Sequence, residues 1–308
     1  MRRLFVAARA NPKLWAGLFR DRLPDHEILE EMPADGPPVA YVVVGRPPAG
    51  LIGSIRGLEV VLSLNAGVEH LLASGEVPAH IPIVRMVDDG LTEGMMDWVL
   101  AQALAWHRNL FRYRDQQAEG RWAPLPEKLA RERVVTVLGA GALGAPVASA
   151  LARFGFAVRV WSRSGSSING TTGYAGRDRL AEAVAGADTL VNLLPLTADT
   201  ADLIGRAVFD RLAAGAFFIN AARGGHVVDA DLLAALDDGR LSGAALDVFR
   251  EEPLPAGHAF WRHPKILVSP HVAAPTHPET AVAAMVETIR RHEAGQPMPH
   301  VVDRQRGY

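Results

Sequence analysis

The 308-residue chain contains no cysteine, which excludes disulfide bonds, thiolate-bound iron–sulfur clusters and catalysis by a thiol. It also has little net charge, since 32 Lys and Arg residues are balanced by 34 Asp and Glu residues. Bulk charge therefore gives no reason to expect nucleic acid or an anionic membrane as a partner. No apolar run approaches the ~20 residues of a membrane span.

The first residues do not match the pattern of a signal peptide. The basic residues Arg2 and Arg3 precede an apolar run, residues 4–8, that is shorter than the ~7–15 residues of a signal peptide. We interpret this run as an opening β-strand and expect a soluble, cytoplasmic protein.

Short apolar runs alternate with helical stretches along the chain. Continuous apolar strands separated by helices indicate parallel sheets covered on both faces, so the fold class is a doubly wound α/β fold, and the length favours two domains. Helices are predicted over residues 97–113, 145–154 and 278–294. The predicted strands are 39–44, 60–64, 134–138, 157–161, 189–193, 216–220, 244–248 and 266–269.

A glycine turn separates one of these strands from the helix that follows it. Gly139, Gly141 and Gly144, with Ala142 and Leu143 between the last two, form a GxGxxG pattern after strand 134–138. In that context the first glycine permits a tight turn, the second lets a pyrophosphate approach the backbone and the third allows helix–strand packing. The pattern predicts a dinucleotide site; the alternative is a glycine-rich connection that binds nothing.

The end of the next strand distinguishes NAD from NADP. An acidic residue at this point binds the ribose 2′-hydroxyl of NAD, whereas this chain has Ser162-Arg163-Ser164. Arginine and two hydroxyl groups suit a 2′-phosphate, so NADPH is predicted to be preferred, with NADH possible. The alternative is that Arg163 is only a solvated loop cation.

Three polar residues follow successive predicted strands of the second half, where α/β sheets place ligand sites. Arg223 offers a planar fork that binds a carboxylate, and His271 belongs to the residue type best suited to proton transfer near neutral pH. Glu252 can keep the imidazole protonated, and the proline that follows it, Pro253, favours it over its neighbour Glu251. This set suits the reduction of a 2-oxo acid.

These segments carry a resemblance to a known family. NAARGG at 220–225, DVFREEPLP at 247–255 and SPHV at 269–272 resemble the signature segments of the D-2-hydroxyacid dehydrogenases. Within that family the chain is most similar to the bacterial glyoxylate/hydroxypyruvate reductases of the A type. That similarity rests on WSR at 161–163, WAPLP at 122–126 and LLPLT at 193–197.

The resemblance implies a role for each matching residue. Arg223 is expected to bind the substrate carboxylate and keto oxygen, His271 to act as general acid/base, and Glu252 to orient and charge His271. Ala66 and Gly67 are expected to offer backbone N–H groups to the carboxylate. The residues implied to contact the cofactor, with Asp247 at the nicotinamide carboxamide, are Leu194, Pro195, Thr197, Ala221, Ala222 and Asp247.

The resemblance also implies an architecture and an activity. The substrate domain is expected to comprise residues 1–100 plus 276–308, and the dinucleotide-binding domain residues 101–275, with a deep cleft between them. A homodimer is expected, built by the helix from Asp97 and the arm after it. The implied reactions are NADPH-dependent reduction of glyoxylate to glycolate and of hydroxypyruvate to D-glycerate.

The chain departs from its relatives in one loop. They carry a Trp-His pair before the Pro-Pro of the loop that closes over substrate, where this chain has Gly45-Arg46. Loss of the indole widens the predicted pocket, and Arg46 either adds a cation for the substrate or points to solvent. A reductase of a bulkier 2-oxo acid such as phenylpyruvate therefore stays open as an alternative. A non-catalytic nicotinamide-sensing regulator is a second alternative, because the same fold does not by itself imply catalysis.

A metal site is not expected. The late histidines His258, His263, His271 and His277 contain no HExxH pair on a predicted helix.

Overall fold

The computed structural model describes residues 1–8, 10–32 and 37–308. The chain divides into two compact units: unit 1 is Met1–Leu91 with Thr276–Tyr308, and unit 2 is Thr92–Pro275. The first division follows Leu91, inside a helix that begins at Asp89, and the boundary predicted at residue 100 lies nine residues after Leu91. The assignment of substrate and cofactor to the two units stays a prediction.

Within the described residues the chain forms twelve strands and nine α-helices. The strands are β1 Arg2–Ala7, β2 His26–Leu29, β3 Tyr41–Val44, β4 Val60–Ser63, β5 Ile83–Val84, β6 Val134–Leu138, β7 Ala157–Ser162, β8 Thr171–Ala175, β9 Thr189–Asn192, β10 Ala216–Asn220, β11 Leu241–Leu246 and β12 Ile266–Val268. The helices are α1 Pro12–Arg22, α2 Glu69–Ser74, α3 Asp89–His107, α4 Leu110–Ala118, α5 Gly144–Arg153, α6 Leu180–Val184, α7 Arg206–Phe209, α8 Asp229–Asp237 and α9 Pro278–Glu293.

Unit 1 contains a five-stranded parallel sheet in the order β2-β1-β3-β4-β5. Every residue of β3 and β4 is buried, and six of the eight are valine or leucine. Full burial of one such side chain contributes about 1.5–3 kcal/mol. The long helix α9 packs an apolar face that includes Met285 and Ile289 and ends with basic residues in its last turn.

Unit 2 contains a seven-stranded parallel sheet in the order β12-β11-β10-β9-β6-β7-β8. The chain starts at β6, builds outward to β8, and then returns to place β9 on the other side of β6. The strand order therefore reverses between β6 and β9, and in open α/β sheets ligands bind at the carboxyl ends beside such a reversal. The predicted doubly wound α/β class is confirmed for both units.

One helix prediction was wrong, and three strands were not predicted. The helix predicted over residues 97–113 is two helices, α3 and α4, because Asn109 adopts a left-handed conformation with φ of 58°. The strands β2, β5 and β8 were not recognised. β8 consists of TTGYA, which has no apolar run because this strand lies at the sheet edge and contains no buried residue.

Among the described residues no helix is both long and apolar enough to cross a membrane.

Candidate functional site

The glycine turn after β6 needs glycine at two of its three positions. Gly139 has a φ of +108°, and a Cβ there would lie 2.6 Å from the carbonyl oxygen of Leu193. A Cβ on Gly144 would lie 2.0 Å from the carbonyl oxygen of Gly139. A Cβ on Gly141 would meet no atom of the chain within 4 Å, so the space beside this residue is open. The turn thus packs closely against the segment after β9 and leaves open the side on which a pyrophosphate is predicted.

The carboxyl end of β7 offers hydrogen-bond donors that fit a phosphate. Ser162 ends the strand, and its Oγ is buried without a hydrogen-bond partner, as is Oγ of Ser166. Arg163 and Ser164 between them are exposed. Hydroxyl groups without partners beside an exposed guanidinium are the donor set that a 2′-phosphate accepts from, so these residues fit the group that the sequence predicts.

Close packing between two loops brings Arg223 to the segment that carries Glu252. A Cβ on Gly224 would lie 1.9 Å from the carbonyl carbon of Phe249, so only glycine allows the chain after β10 to pass the chain after β11. Arg223 is half-buried, and its Nη1 donates to the carbonyl oxygen of Ala222 at 2.7 Å.

His271 and Glu252 form a direct pair. Nδ1 of His271 lies 2.8 Å from Oε2 of Glu252, and Oε1 of Glu252 accepts from the backbone N–H of Phe249 at 3.0 Å. The pair leaves Nε2 of the imidazole to exchange a proton with a ligand, because the carboxylate occupies only Nδ1. Glu252, rather than the exposed Glu251, makes this contact.

Asp247 holds the backbone around His271. Its carboxylate is 1% exposed and accepts from Oγ of Ser269 at 2.6 Å and from the N–H groups of Val272 and Ala273, each at 2.9 Å. His271, with φ of 55°, donates its own N–H to the carbonyl oxygen of Asp247 at 2.8 Å. Asp247 therefore fixes a strained turn that presents the imidazole. Its predicted contact with a nicotinamide carboxamide stays a prediction.

The remaining predicted cofactor residues lie on the segments after β9 and β10. Leu194, Ala221 and Ala222 are buried, and Pro195 and Thr197 are half-buried. Thr200 organises the first segment, because its Oγ1 donates to the carbonyl oxygen of Pro195 at 2.7 Å and accepts from the N–H of Thr197 at 2.9 Å.

Sequence reasoning missed three buried polar residues behind these segments: Asn192, Asn220 and His226. A signal was present for two of them. Asn192 and Asn220 each interrupt a run of apolar residues, and a polar residue at that point has to find a partner when its strand is buried.

The predicted substrate residues of unit 1 lie at the carboxyl ends of its strands. Arg46 is exposed after β3, and Ala66 and Gly67 are half-buried between β4 and α2. Gly45 has its carbonyl oxygen 2.7 Å from Nε2 of His70. Their predicted contacts with substrate stay predictions.

Known proteins resemble this chain over nearly its full length. The family model of the D-isomer specific 2-hydroxyacid dehydrogenase NAD binding domain matches residues 100–273. Glyoxylate/hydroxypyruvate reductase A of Yersinia enterocolitica is 40% identical over 301 residues, which cover 96% of each chain. The protein of the same name from Klebsiella pneumoniae strain 342 is 40% identical over 310 residues, 99% of each chain.

Solved structures agree with these relatives. A D-isomer specific 2-hydroxyacid dehydrogenase of Xanthobacter autotrophicus Py2, in complex with NADPH and MES, has a TM-score of 0.95 and 37% identity, covering 100% of this chain and 99% of that one. The NADPH-dependent glyoxylate/hydroxypyruvate reductase of Sinorhizobium meliloti, in complex with NADP and sulfate, has a TM-score of 0.94 and 35% identity over 100% of both chains. The chain therefore belongs to the D-isomer specific 2-hydroxyacid dehydrogenase family of NAD(P)-dependent oxidoreductases.

Proposed function

We propose that this protein reduces small 2-oxo acids with NADPH, glyoxylate to glycolate and hydroxypyruvate to D-glycerate. The observation that carries the proposal is the His271–Glu252 pair at 2.8 Å, presented by a turn that Asp247 fixes. The similarity to reductases of glyoxylate and hydroxypyruvate supports the choice of substrates.

The proton chemistry belongs to His271. Protonated His271 donates from Nε2 to the oxygen at C2 of the 2-oxo acid, while Glu252 holds Nδ1 and stabilises the positive charge of the ring. In the reverse direction the same nitrogen accepts the proton of the hydroxyl group. When bound, NADPH supplies the hydride that reaches C2.

Arg223 supplies the charge that orients the substrate. Its guanidinium fork binds the carboxylate of the 2-oxo acid and polarises the keto oxygen, which makes C2 more electrophilic. Arg46 and the N–H groups of Ala66 and Gly67 are proposed as further carboxylate contacts.

The cofactor is proposed to bind unit 2 at the carboxyl ends of its strands. Gly141 leaves room for the pyrophosphate, and Ser162, Arg163 and Ser164 receive the 2′-phosphate. Solved relatives bound to NADPH or NADP support the preference for NADPH.

Replacement of Arg223 tests this assignment. Arg223→Ala is expected to lower kcat/KM for the 2-oxo acid by about 10³-fold and to leave the Kd for NADPH within about twofold, because the lost charge pair concerns substrate only. The matched control is Arg262→Ala, an exposed arginine of the same unit. Near-wild-type turnover of Arg223→Ala would contradict the assignment.

A bulkier substrate is a second candidate, favoured by the space at Gly45. The nearest atom to a Cβ built there is Cδ1 of Leu64, at 3.9 Å, so within unit 1 this position leaves room beside the loop. A higher kcat/KM for phenylpyruvate than for glyoxylate would select this candidate. Absence of turnover with every 2-oxo acid, together with tight NADPH binding, would select the regulator instead.

A homodimer in the cytoplasm is also proposed. Trp122, in the arm after α4, is 97% exposed in the single chain, and burial of an indole on a second copy would remove this apolar surface from water. Sedimentation of the wild-type protein and of Trp122→Ala tests this: the account expects a dimer that Trp122→Ala weakens.

A further inference from the structure

Three buried polar side chains lie behind the strand ends that lead to Pro195 and Arg223. Asn192 ends β9 and Asn220 ends β10, and the two residues are paired in the sheet register. His226 lies in the short 3₁₀ turn that follows Arg223. Asn192 and His226 are 0% exposed and Asn220 is 1% exposed. Groups so deeply buried cost free energy unless they are hydrogen-bonded, so their partners reveal what they hold in place.

On the cofactor side, the partners are backbone groups of the segment after β9. Nε2 of His226 lies 3.2 Å from the carbonyl oxygen of Pro195, and Oδ1 of Asn192 accepts from the N–H of Leu194 at 3.3 Å. Leu194 and Pro195 are both predicted to contact the cofactor, and both are held by side chains of the buried set.

On the substrate side, the partners belong to the segment that carries Arg223. Nδ2 of Asn220 donates to the carbonyl oxygen of Arg223 at 3.2 Å, and Oδ1 of Asn220 accepts from the N–H of Ala222 at 3.2 Å. The backbone on both sides of the peptide bond between Ala222 and Arg223 is therefore tied to Asn220.

Asn192 joins the two sides. Its Nδ2 donates one hydrogen to Oδ1 of Asn220 and the other to Nδ1 of His226, each at 3.0 Å. Since Nδ1 of His226 accepts, the ring proton lies on Nε2, where it is donated to Pro195. Nδ1 also lies 3.1 Å from the carbonyl oxygen of Arg223, a contact that carries no hydrogen bond in this tautomer.

We propose that His226 is a positioning residue for hydride transfer. Through Pro195 on one side and Asn192 and Asn220 on the other, it fixes the spacing between the cofactor segment and the arginine that binds the substrate carboxylate. Satisfied buried networks of this kind are rigid, and hydride transfer depends on placement of its two reactants to a fraction of an ångström. The inference rests on the proposed roles of Arg223 and Pro195.

Two conservative variants remove the two contacts of His226 one at a time, the contact with Pro195 and the contact with Asn192. In His226→Asn the side-chain oxygen takes the place of Nδ1 and keeps the bond from Asn192, but no donor reaches Pro195. In His226→Gln the amide nitrogen takes the place of Nε2 and keeps the bond to Pro195, but Asn192 loses its acceptor.

The expected kinetic effects differ accordingly. His226→Asn raises the Kd and the KM for NADPH by about 5- to 20-fold and leaves the KM for the 2-oxo acid within about twofold. His226→Gln lowers kcat/KM for the 2-oxo acid by about 5- to 20-fold and leaves the Kd for NADPH within about twofold. Equal changes in both variants, or kinetic constants that all stay within about twofold while Tm falls, would overturn the proposal.

The matched controls are His107→Asn and His107→Gln. His107 is a buried histidine of the same unit, 7% exposed, with no hydrogen-bond partner at Nδ1. These variants are expected to lower Tm without separating the kinetic constants, and a separation equal to that of the His226 variants would overturn the proposal.

The tautomer of His226 provides a measurement on the wild-type protein, independent of whether the variants fold. Imidazole ¹⁵N shifts at pH 7.5 are expected to show a neutral ring protonated on Nε2, whereas a ring protonated on Nδ1 would contradict the network. A wild-type protein that reduces no 2-oxo acid would contradict the proposed function. The contact between His226 and Pro195 would still be tested, because the Kd for NADPH of His226→Asn is measured without turnover.

Discussion

Two histidines of unit 2 occupy opposite environments. The side chain of His271 is 42% exposed and faces the carboxylate of Glu252, while His226 is 0% exposed and faces an amide and a carbonyl group. A carboxylate favours the charged ring and proton exchange, whereas neutral partners on both nitrogens fix one tautomer. The same residue type is therefore assigned chemistry in one place and positioning in the other, according to burial and partner.

The largest expected effect comes from removing the imidazole that exchanges the proton. His271→Asn is expected to lower kcat by about 10²- to 10⁴-fold and to leave Tm within about 2 °C, because the side chain is partly exposed. Compared with His271→Asn, His226→Asn is expected to lower Tm more and kcat less. Steady-state kinetics and thermal melts of both variants check this, and the same pattern in both would remove the distinction.

The next effect concerns the carboxylate beside His271. Glu252→Gln keeps a hydrogen-bond acceptor but loses the charge that stabilises the protonated ring, so kcat/KM for reduction is expected to fall by about 10- to 100-fold. Glu251→Gln, the exposed neighbour, is the control; an unchanged kcat/KM in Glu252→Gln would contradict the pairing.

A smaller effect is expected at the adenosine end of the cofactor. Arg163→Ala is expected to raise the KM for NADPH about tenfold and to leave the KM for NADH nearly unchanged, since only NADPH carries the 2′-phosphate. Arg177→Ala, an exposed arginine of the same unit, serves as the control. Equal changes toward both cofactors would show that Arg163 acts through the loop rather than the phosphate.

The smallest expected effect concerns His107, a buried histidine to which no role in the reaction is assigned. Burial lowers the pKa of His107 below its usual range, and the nearby Arg133 lowers it further. The unfolded chain therefore takes up the proton first as pH falls, so this contribution to stability is present above about pH 6.5 and declines below it. Between pH 7.5 and 5.5 the fall in Tm is expected to be about 2 °C smaller in His107→Gln than in wild type, and kcat is expected to be unchanged in the variant. An identical fall in both proteins would contradict this effect of burial.

Much of the fold was predictable because its signals are local. Short apolar runs ended by glycine, such as Val134–Leu138, are typical of buried strands. The glycines at 139 and 144 are required by contacts of 2.6 and 2.0 Å. The edge strand β8 and the break at Asn109 were not predictable, since one lacks an apolar pattern and the other depends on a single left-handed residue.

The candidate site was predictable to a different degree. Arg223, Glu252 and His271 stand out because charged residues follow apolar strands, and the structure pairs two of them. The role of Asn192, Asn220 and His226 follows only from long-range contacts, for example the 3.0 Å bond between residues 192 and 226. No spacing along the chain specifies such a bond, because it depends on the sheet order.

The central claim is tested most directly by NADPH oxidation with a panel of 2-oxo acids, repeated with NADH. The account predicts the highest kcat/KM with glyoxylate or hydroxypyruvate and NADPH, at least about tenfold above the same substrate with NADH. No oxidation of NADPH with any 2-oxo acid, by a protein that binds NADPH, would contradict it.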